Sequence, residues 1–349
     1  KKLPANKRNE LNGLIDTLIS HGFKTTTNLS EQWSQYLEIR SLLDRVQAIE
    51  SELKVKSAGS KNRALCIEAF YVWARENGAQ FDGVKISEFP GYGMGLEATK
   101  DFDEDAVFIQ IPKKMLMGLD NFSEAIAPMV AEMPMIQSMS NIKLAFSLLV
   151  EKINPNSFWK PYIDILPEKY STVMNFSTSE MQELKGSSAL NSALLQCKNI
   201  ARQYAFIRKY IDNIKEDGFD ATLLTLKERF SFDLYCWAVS TIMTRQNLVP
   251  MHITDKGETQ TAMSPALIPL WDMANHARGK ITTIYNAETE CIESSVLGKC
   301  QRGEQIFIFY GPRSNADFLI HNGFVFPKNE HDTVPIRLGL SSMDELVSE

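Results

Sequence analysis

Asp272, Asn275 and His276 stand within five residues of one another in Trp271-Asp-Met-Ala-Asn-His276, directly after the apolar run 266–270. A carboxylate, an amide and an imidazole at the end of a buried segment are costly unless they find partners. They either cap the next turn or face a ligand, and spacing alone leaves both readings open. A second group is Phe309-Tyr-Gly311, which ends a strand-like segment. There the Tyr310 phenol is either an ordinary core or rim group, with its hydroxyl paired, or a group facing a reaction. A third is Met243-Thr-Arg-Gln-Asn247. Arg245 in a last helical turn complements the helix dipole and Asn247 is a normal stop, so both have structural explanations. Arg63 opens a helix, where a cation opposes the dipole; that points to an external anion such as a carboxylate.

Gly91-Tyr-Gly-Met-Gly95 has the spacing G-x-G-x-G and continues into the β-like Leu-Glu-Ala-Thr. A dinucleotide fingerprint needs G-x-G-x-x-G leading into a helix. The glycines therefore mark a hairpin turn with positive φ, or a turn whose backbone lies against a cofactor. No Ser/His/Asp or Cys/His nucleophile pattern stands out, and the five histidines are too dispersed for a metal site. No metal is expected.

The elements that must position these groups follow from periodicity. Apolar residues from Trp33 to Leu53 recur at helical spacing behind Ser30 as N-cap. A second helix is predicted over 62–77, with Leu65, Ala69, Phe70 and Trp73 on one face and Gly78 as its stop. Short strands are predicted at 84–89, 96–99 and 107–111. A long helical stretch follows over about 120–245. It includes an amphipathic helix at 141–152, a packed proline-broken loop at 158–167 and a capping box at Ser177-x-x-Glu180. Helical periodicity then runs, with a break at Gly186, to about 214, and a last helix covers 232–245. Strands return at 281–285, 291–297 and 305–310. This order implies an α+β fold, one β-rich domain interrupted by a helical insertion and preceded by helices. The divisions expected are 1–80, 81–120, 121–250 and 251–335.

The chain has 349 residues, 44% hydrophobic content and a formal net charge of −6, with Lys and Arg scattered. A nucleic-acid binder would need a basic stripe, and none is seen; the basic first residues read as a solvated tail. No apolar run approaches the roughly 20 residues that span a bilayer. The five cysteines are far apart, without a C-x-x-C pair, which suits a reduced, intracellular compartment.

Taken in order, G-x-G-L-x-A-T, R-Q-N, P-L-W-D-M-x-N-H and G-E-Q-I-x-I-x-Y-G resemble the signature of SET-domain methyltransferases. The similarity is to the subgroup with a split SET domain, typified by the Rubisco large-subunit lysine methyltransferase, and within it to the branch that methylates a histidine of actin. It covers roughly residues 57–338. The resemblance implies S-adenosyl-L-methionine as cofactor, S-adenosyl-L-homocysteine as product, and a knot-like crossing of the chain. It further implies that Tyr92, Gly93 and Met94 wrap the cofactor, that Asp272, Met273, Ala274, Asn275 and His276 thread past it, and that Arg63 and Arg245 hold its carboxylate. Asn322, Gly323 and Phe324 would complete the adenosine side. Tyr310 takes the catalytic position, and Asn247, Trp271, Arg313 and Arg202 fall where substrate is met. Met94 departs from the family in standing where an aromatic residue is expected. A helical C-terminal lobe normally follows such a domain; residues 336–349 would be its start, and the lobe is expected to be truncated or absent.

The acceptor expected from this resemblance is a histidine of actin, in a cytoplasmic and also nuclear monomer with no nucleic-acid or membrane partner. A lysine near pKa 10.4 is roughly 3.4 units above neutral pH, so its deprotonation costs about 4.6 kcal/mol. A histidine near 6.5 is largely neutral already and needs its tautomer fixed, which an amide such as Asn247 can do. Lysine-directed relatives tend to carry a bulkier aromatic there. The alternatives are a split-SET lysine methyltransferase and a non-catalytic SET binding module.

Overall fold

In the computed structural model, residues 4–52, 63–121, 127–213, 221–255 and 258–336 are described. The chain starts with α1 (Ala5–Phe23), which the sequence reading passes over although Leu11, Leu14, Ile15 and Leu18 form a buried stripe at helical spacing. In α2 (Leu29–Glu50) the cap is Asn28, not Ser30: the Asn28 side chain accepts from the Ser30 and Glu31 amides. Position 53, the end of that predicted stripe, lies outside the described residues, as does residue 62. In α3 (Arg63–Glu76) the buried face is Phe70, Tyr71, Trp73 and Ala74. Leu65 is 80% exposed and Ala69 is exposed, so the predicted face was rotated. Gly78 ends the helix with φ of 89°.

Three strands follow, β1 (Val84–Phe89), β2 (Gly93–Ala98) and β3 (Val107–Pro112). The β1–β2 hairpin closes with Phe89 opposite Gly93, and Gly91 and Gly93 have φ of 79° and 71°, which only glycine adopts without strain. The helical stretch then contains α4 (Ala127–Glu132), α5 (Pro134–Ser138), α6 (Ser140–Ile153), α7 (Lys160–Ile165), α8 (Thr178–Glu183), α9 (Ala189–Asn213), α10 (Ala221–Arg229) and α11 (Phe232–Arg245). The α7 helix replaces the predicted loop; Pro161 lies in its first turn, where a missing N–H costs nothing. The capping box of Ser177 and Glu180 forms as predicted.

A hairpin that the sequence does not announce comes next, β4 (Asn247–Asp255) against β5 (Glu258–Ala266). Its prolines, Pro250 and Pro265, read as strand breakers and are tolerated because the hairpin is a two-stranded sheet. The last strands are β6 (Asn275–His276), β7 (Thr283–Asn286), β8 (Cys291–Ser295) and β9 (Gln305–Ile308), and α12 (Asn315–Asp317) runs into a π turn at Phe318–Asn322.

Strands from both sides of the insertion share the same sheets, in the orders β1-β2-β9-β6 and β3-β8-β7. The β2–β9 pairing sets Leu96 opposite Ile306, and β6 lies parallel to β9. Later chain thus packs on both sides of β6: β9 on one, and on the other the rings of Phe318, Phe324 and Phe326 against His276. The architecture is α+β. All five cysteines are free, and no helix among the described residues is long and apolar enough to cross a membrane.

One buried polar cluster ties the helices together. Glu50, at the end of α2, is 1% exposed. One of its oxygens accepts from the Tyr204 hydroxyl of α9, and the other from the Phe232 amide at the start of α11, at 2.8 Å. Arg208 lies 3.6 Å from the carboxylate and is itself held by Asp212 and the Phe230 carbonyl. Burial pushes the Glu50 carboxyl up to about 7 against the pull of these donors. A folded-state value above the unfolded one of 4.5 contributes stability below pH 4.5 that is lost as pH rises through 7. The wild type should therefore lose more stability between pH 5 and pH 7.5 than Glu50→Gln does. Urea unfolding midpoints at the two pH values check this, and equal losses would refute it.

Candidate active site

The turn that carries the polar motif begins with strain. Leu270 is fully buried and has φ of 69° and ψ of −49°, a region that a non-glycine residue occupies only when its surroundings over-determine it. That corner turns the chain out of the apolar run and into a single 3-10 turn, Trp271–Met273. Trp271 leaves on one side of the turn, and Asp272 points to the other, toward the helical insertion.

Asp272 meets Arg245, the last residue of α11. Arg245 Nη1 donates to the Asp272 carbonyl at 2.7 Å and lies 3.2 Å from Oδ2. Tyr162 of α7, fully buried, donates to the same Oδ2 at 2.6 Å. Burial alone would lower the Arg245 pKa, but Asp272 and the neighbouring Tyr170 outweigh it and hold the guanidinium cationic. Burial raises the Asp272 carboxyl, with Arg245 and Tyr162 pulling it back. Two buried atoms of this pair, Arg245 Nε and Asp272 Oδ1, have no hydrogen-bond partner among the described residues. Unpaired buried groups of this kind cost free energy.

Two cavities meet here. The larger is a cleft of about 680 Å³, walled by Tyr92 and Met94 from the hairpin, Tyr170 and Ser171 from the insertion, and the segment 322–327. Arg245, Asp272, Met273, Asn275, His276 and Tyr310 form its floor. Its two outer walls are joined where Ser171 Oγ donates to the Gly323 carbonyl at 2.8 Å. Gly323 has φ of 79°, and a Cβ there would stand 2.8 Å from Ser171 backbone, so only glycine fits. Asn275 Nδ2 donates to the Met94 carbonyl at 3.2 Å and to Gln305 at 2.7 Å, fixing the hairpin turn to β6.

The smaller cavity, about 100 Å³, is lined by Asn247, Trp271, Ile281, Thr283, Phe309 and Arg313, among others. It shares Thr244, Arg245, Asp272, Tyr310 and Asn322 with the cleft. Tyr310 stands at the junction. Its hydroxyl donates to the Ala274 carbonyl at 2.7 Å, and burial pushes its pKa up to about 12. It is a neutral phenol near neutral pH, with oxygen lone pairs still open to accept. Arg313 Nη1 donates to Asn322 Oδ1 at 2.8 Å.

Most of the residues predicted for the site thus come together. Gly93 and Ala274 do not line the larger cleft, although both adjoin residues that do. Arg63 does not line it either: its Nε donates to the Ile165 carbonyl at 2.7 Å, behind the Arg245–Asp272 pair. Arg202 is placed elsewhere. It sits on α9 against Gly22 and the Phe23 ring of α1 and lines neither cavity. The sequence reading missed Tyr162, Tyr170 and Ser171, which lie in or just beyond the segment read as a packed loop; only their capacity to need partners could have flagged them.

His276 is buried among the rings of Phe309, Tyr310, Phe318, Phe324 and Phe326. Its Nδ1 accepts from the Tyr310 amide at 3.2 Å, which puts the ring proton on Nε2. Burial, with the Arg313 charge nearby, lowers its pKa to about 4.

No family model matches the chain. It is 41% identical over 338 residues to a Xenopus tropicalis protein named actin-histidine N-methyltransferase, covering 97% of this chain and 56% of the relative. A Drosophila melanogaster protein of the same name is 38% identical over 362 residues, covering 99% of this chain and 66% of the relative. The chain thus spans between about half and two thirds of the length of the curated relatives it matches. Among solved structures it is similar to the SET domain of LSMT bound to lysine and AdoHcy, with a TM-score of 0.58 and 21% identity over 82% of this chain and 63% of that one. Rubisco LSMT bound to AdoMet matches with a TM-score of 0.57 and 23% identity, over 81% of this chain and 62% of that one.

Removing the Tyr162 hydroxyl should leave a buried carboxylate oxygen short of its donor. Tyr162→Phe is expected to cost about 1–3 kcal/mol of stability, read from denaturant unfolding, and an unchanged midpoint would show that Asp272 does not depend on it. The His276 ring should stay neutral far below the ordinary range. An NMR titration of its imidazole should give a midpoint near 4, and a midpoint near 6.5 would contradict the buried aromatic setting.

Proposed function

The chain is a homologue of the actin-histidine N-methyltransferases built on the SET fold, and on that footing we propose that it is an S-adenosylmethionine-dependent protein methyltransferase whose acceptor is a histidine side chain of actin. The observation that carries the proposal is the meeting of two cavities at Tyr310, one large enough for a cofactor, the other small and walled by the Trp271 indole. Methyl transfer needs that arrangement, since donor and acceptor must approach in line from opposite sides of one point.

The residues of the cleft suit the cofactor. Its volume falls in the range of small-molecule sites. The Arg245 guanidinium, held by Asp272 and still partly exposed at the cleft, fits a carboxylate. Arg63 adds positive charge behind Arg245. Tyr92, Gly93 and Met94 would cover the cofactor, with Met94 giving a softer wall than a ring; Asp272 through His276 would run beneath it, and Asn322, Gly323 and Phe324 would flank its adenosine. When bound, S-adenosylmethionine supplies a methyl group activated on a sulfonium and leaves as S-adenosylhomocysteine.

Tyr310 would act through its oxygen. Because its proton is committed to the Ala274 carbonyl, its lone pairs face the junction, where they polarise the methyl site and help aim the acceptor nitrogen. Asn247, Trp271 and Arg313 would seat the acceptor, with Trp271 as the flat wall. The lining of the small cavity supports a histidine over a lysine. Its ionisable groups are Arg245, Arg313, Asp272 and Tyr310. Tyr310 is neutral, and the Asp272 side chain is fully buried and engaged by Arg245 and Tyr162, so neither is a ready base. Two guanidinium groups also disfavour a further cation. A lysine would arrive charged, whereas an imidazole arrives with a free lone pair. A cytoplasmic location, and a nuclear one besides, follow from actin as substrate and belong to the same proposal.

Radiolabelled cofactor offered with actin, and with actin lacking its target histidine, tests the reading. Label should appear on the first and not the second; label persisting on the histidine-less actin would move the acceptor to another residue. Tyr310→Phe should lower turnover on the order of 100-fold while leaving cofactor binding nearly intact. Unchanged turnover would remove Tyr310 from the mechanism.

A further inference from the structure

The small cavity is walled by an indole whose N–H is held by a hydroxyl of the same lining. Trp271 follows the strained Leu270 corner and is only partly buried, so the turn fixes its backbone but not its ring. Its Nε1 donates to Thr283 Oγ1 at 2.9 Å. That hydroxyl in turn shares a hydrogen bond of 2.9 Å with Ser294 Oγ, which is fully buried. Thr283 and Ser294 are directly opposed in the β7–β8 register, and β8 is paired on its other side to β3. The three groups form one chain, from the indole through Thr283, which also lines the cavity, into the β3-β8-β7 sheet.

We infer that Thr283 is a positioning residue for methyl transfer: backed by Ser294, it holds the Trp271 ring in the plane against which the acceptor side chain lies. An indole N–H is a donor only and must find an acceptor when buried. The Thr283 hydroxyl is the acceptor present, and its direction is narrowed twice, by the stiff χ1 of a β-branched residue and by the bond to Ser294. Thr283 accepts from Trp271, and either hydroxyl can donate in the bond between Thr283 and Ser294, so the indole contact is kept with both orders. A wall that tilts changes the approach angle of the acceptor nitrogen, to which an in-line displacement is sensitive. The inference rests on the methyltransferase reading above.

Thr283→Val keeps the shape and removes the hydroxyl. It should lower kcat for actin on the order of tenfold with little change in KM for the cofactor, and Thr283→Ser should restore most of it. In a Trp271→Phe background, which has no N–H to anchor, Thr283→Val should add nothing further. The Trp271 indole resonance in a 15N-labelled sample, assigned from its absence in Trp271→Phe, should shift in Thr283→Val and stay near its wild-type position in Thr283→Ser. Wild-type kcat in Thr283→Val, failure of Thr283→Ser to rescue, an additive loss in the double variant, or an unmoved indole resonance would each overturn the inference. If the wild type itself places no methyl group on actin, the methyltransferase reading falls instead, and the indole resonance still decides whether Thr283 holds the ring.

Discussion

A buried ion pair joins the two parts of this molecule. Arg245 comes from the last turn of the helical insertion, and Asp272 from the turn that opens the final β block. Taking two charges out of water costs several kcal/mol per ion, so such a pair survives only with good geometry and further hydrogen bonds. Here the Asp272 carbonyl and the Tyr162 hydroxyl supply them. Everything in the site is referred to this pair. It fixes the end of α11, from which Asn247 follows directly, and it fixes the turn from which Trp271 and Asn275 leave in different directions. Moving either partner would shift both cavities together.

The fold was legible wherever one pattern dominated. The apolar run of α11 gave both its ends, the capping box placed α8, and β1 was bounded by turn residues on each side. Legibility failed where patterns were degenerate. In α3 nearly every residue from Leu65 to Ala74 is apolar or aromatic, so periodicity could not choose a face, and Leu65 turned out exposed. The β4–β5 hairpin hid behind two prolines; among its described side chains Val249, Ser264 and Ala266 are buried. The α1 stripe was readable but masked by the basic, tail-like start of the chain.

The site divides in the same way. Asp272, Asn275, His276 and Tyr310 lie in contiguous motifs, and the fold brings them to one floor as the motifs suggested. Tyr162, Tyr170 and Ser171 are single residues in the insertion, more than a hundred positions from Asp272 or Gly323, and nothing local marks them. Their roles arise only from tertiary contact: a phenol meets a carboxylate, and a serine meets a glycine carbonyl. Arg202 shows the converse. The family resemblance implied a substrate contact, yet its stem covers Gly22 where α1 packs on α9.

The pairing of Leu96 with Ile306 has a kinetic meaning. It closes a loop containing the whole helical insertion, and closing a flexible loop of roughly 200 residues costs about 5 kcal/mol in chain entropy. If the insertion collapses first around its own aromatic core, the effective loop shortens and the two β blocks are delivered to each other. Contacts of such long sequence separation form late and slowly. The cleft, whose walls are clasped by Ser171 and Gly323, is then among the last features of the molecule to exist. A ligand that fills it binds only the finished fold, and so draws the folding equilibrium toward completion by mass action.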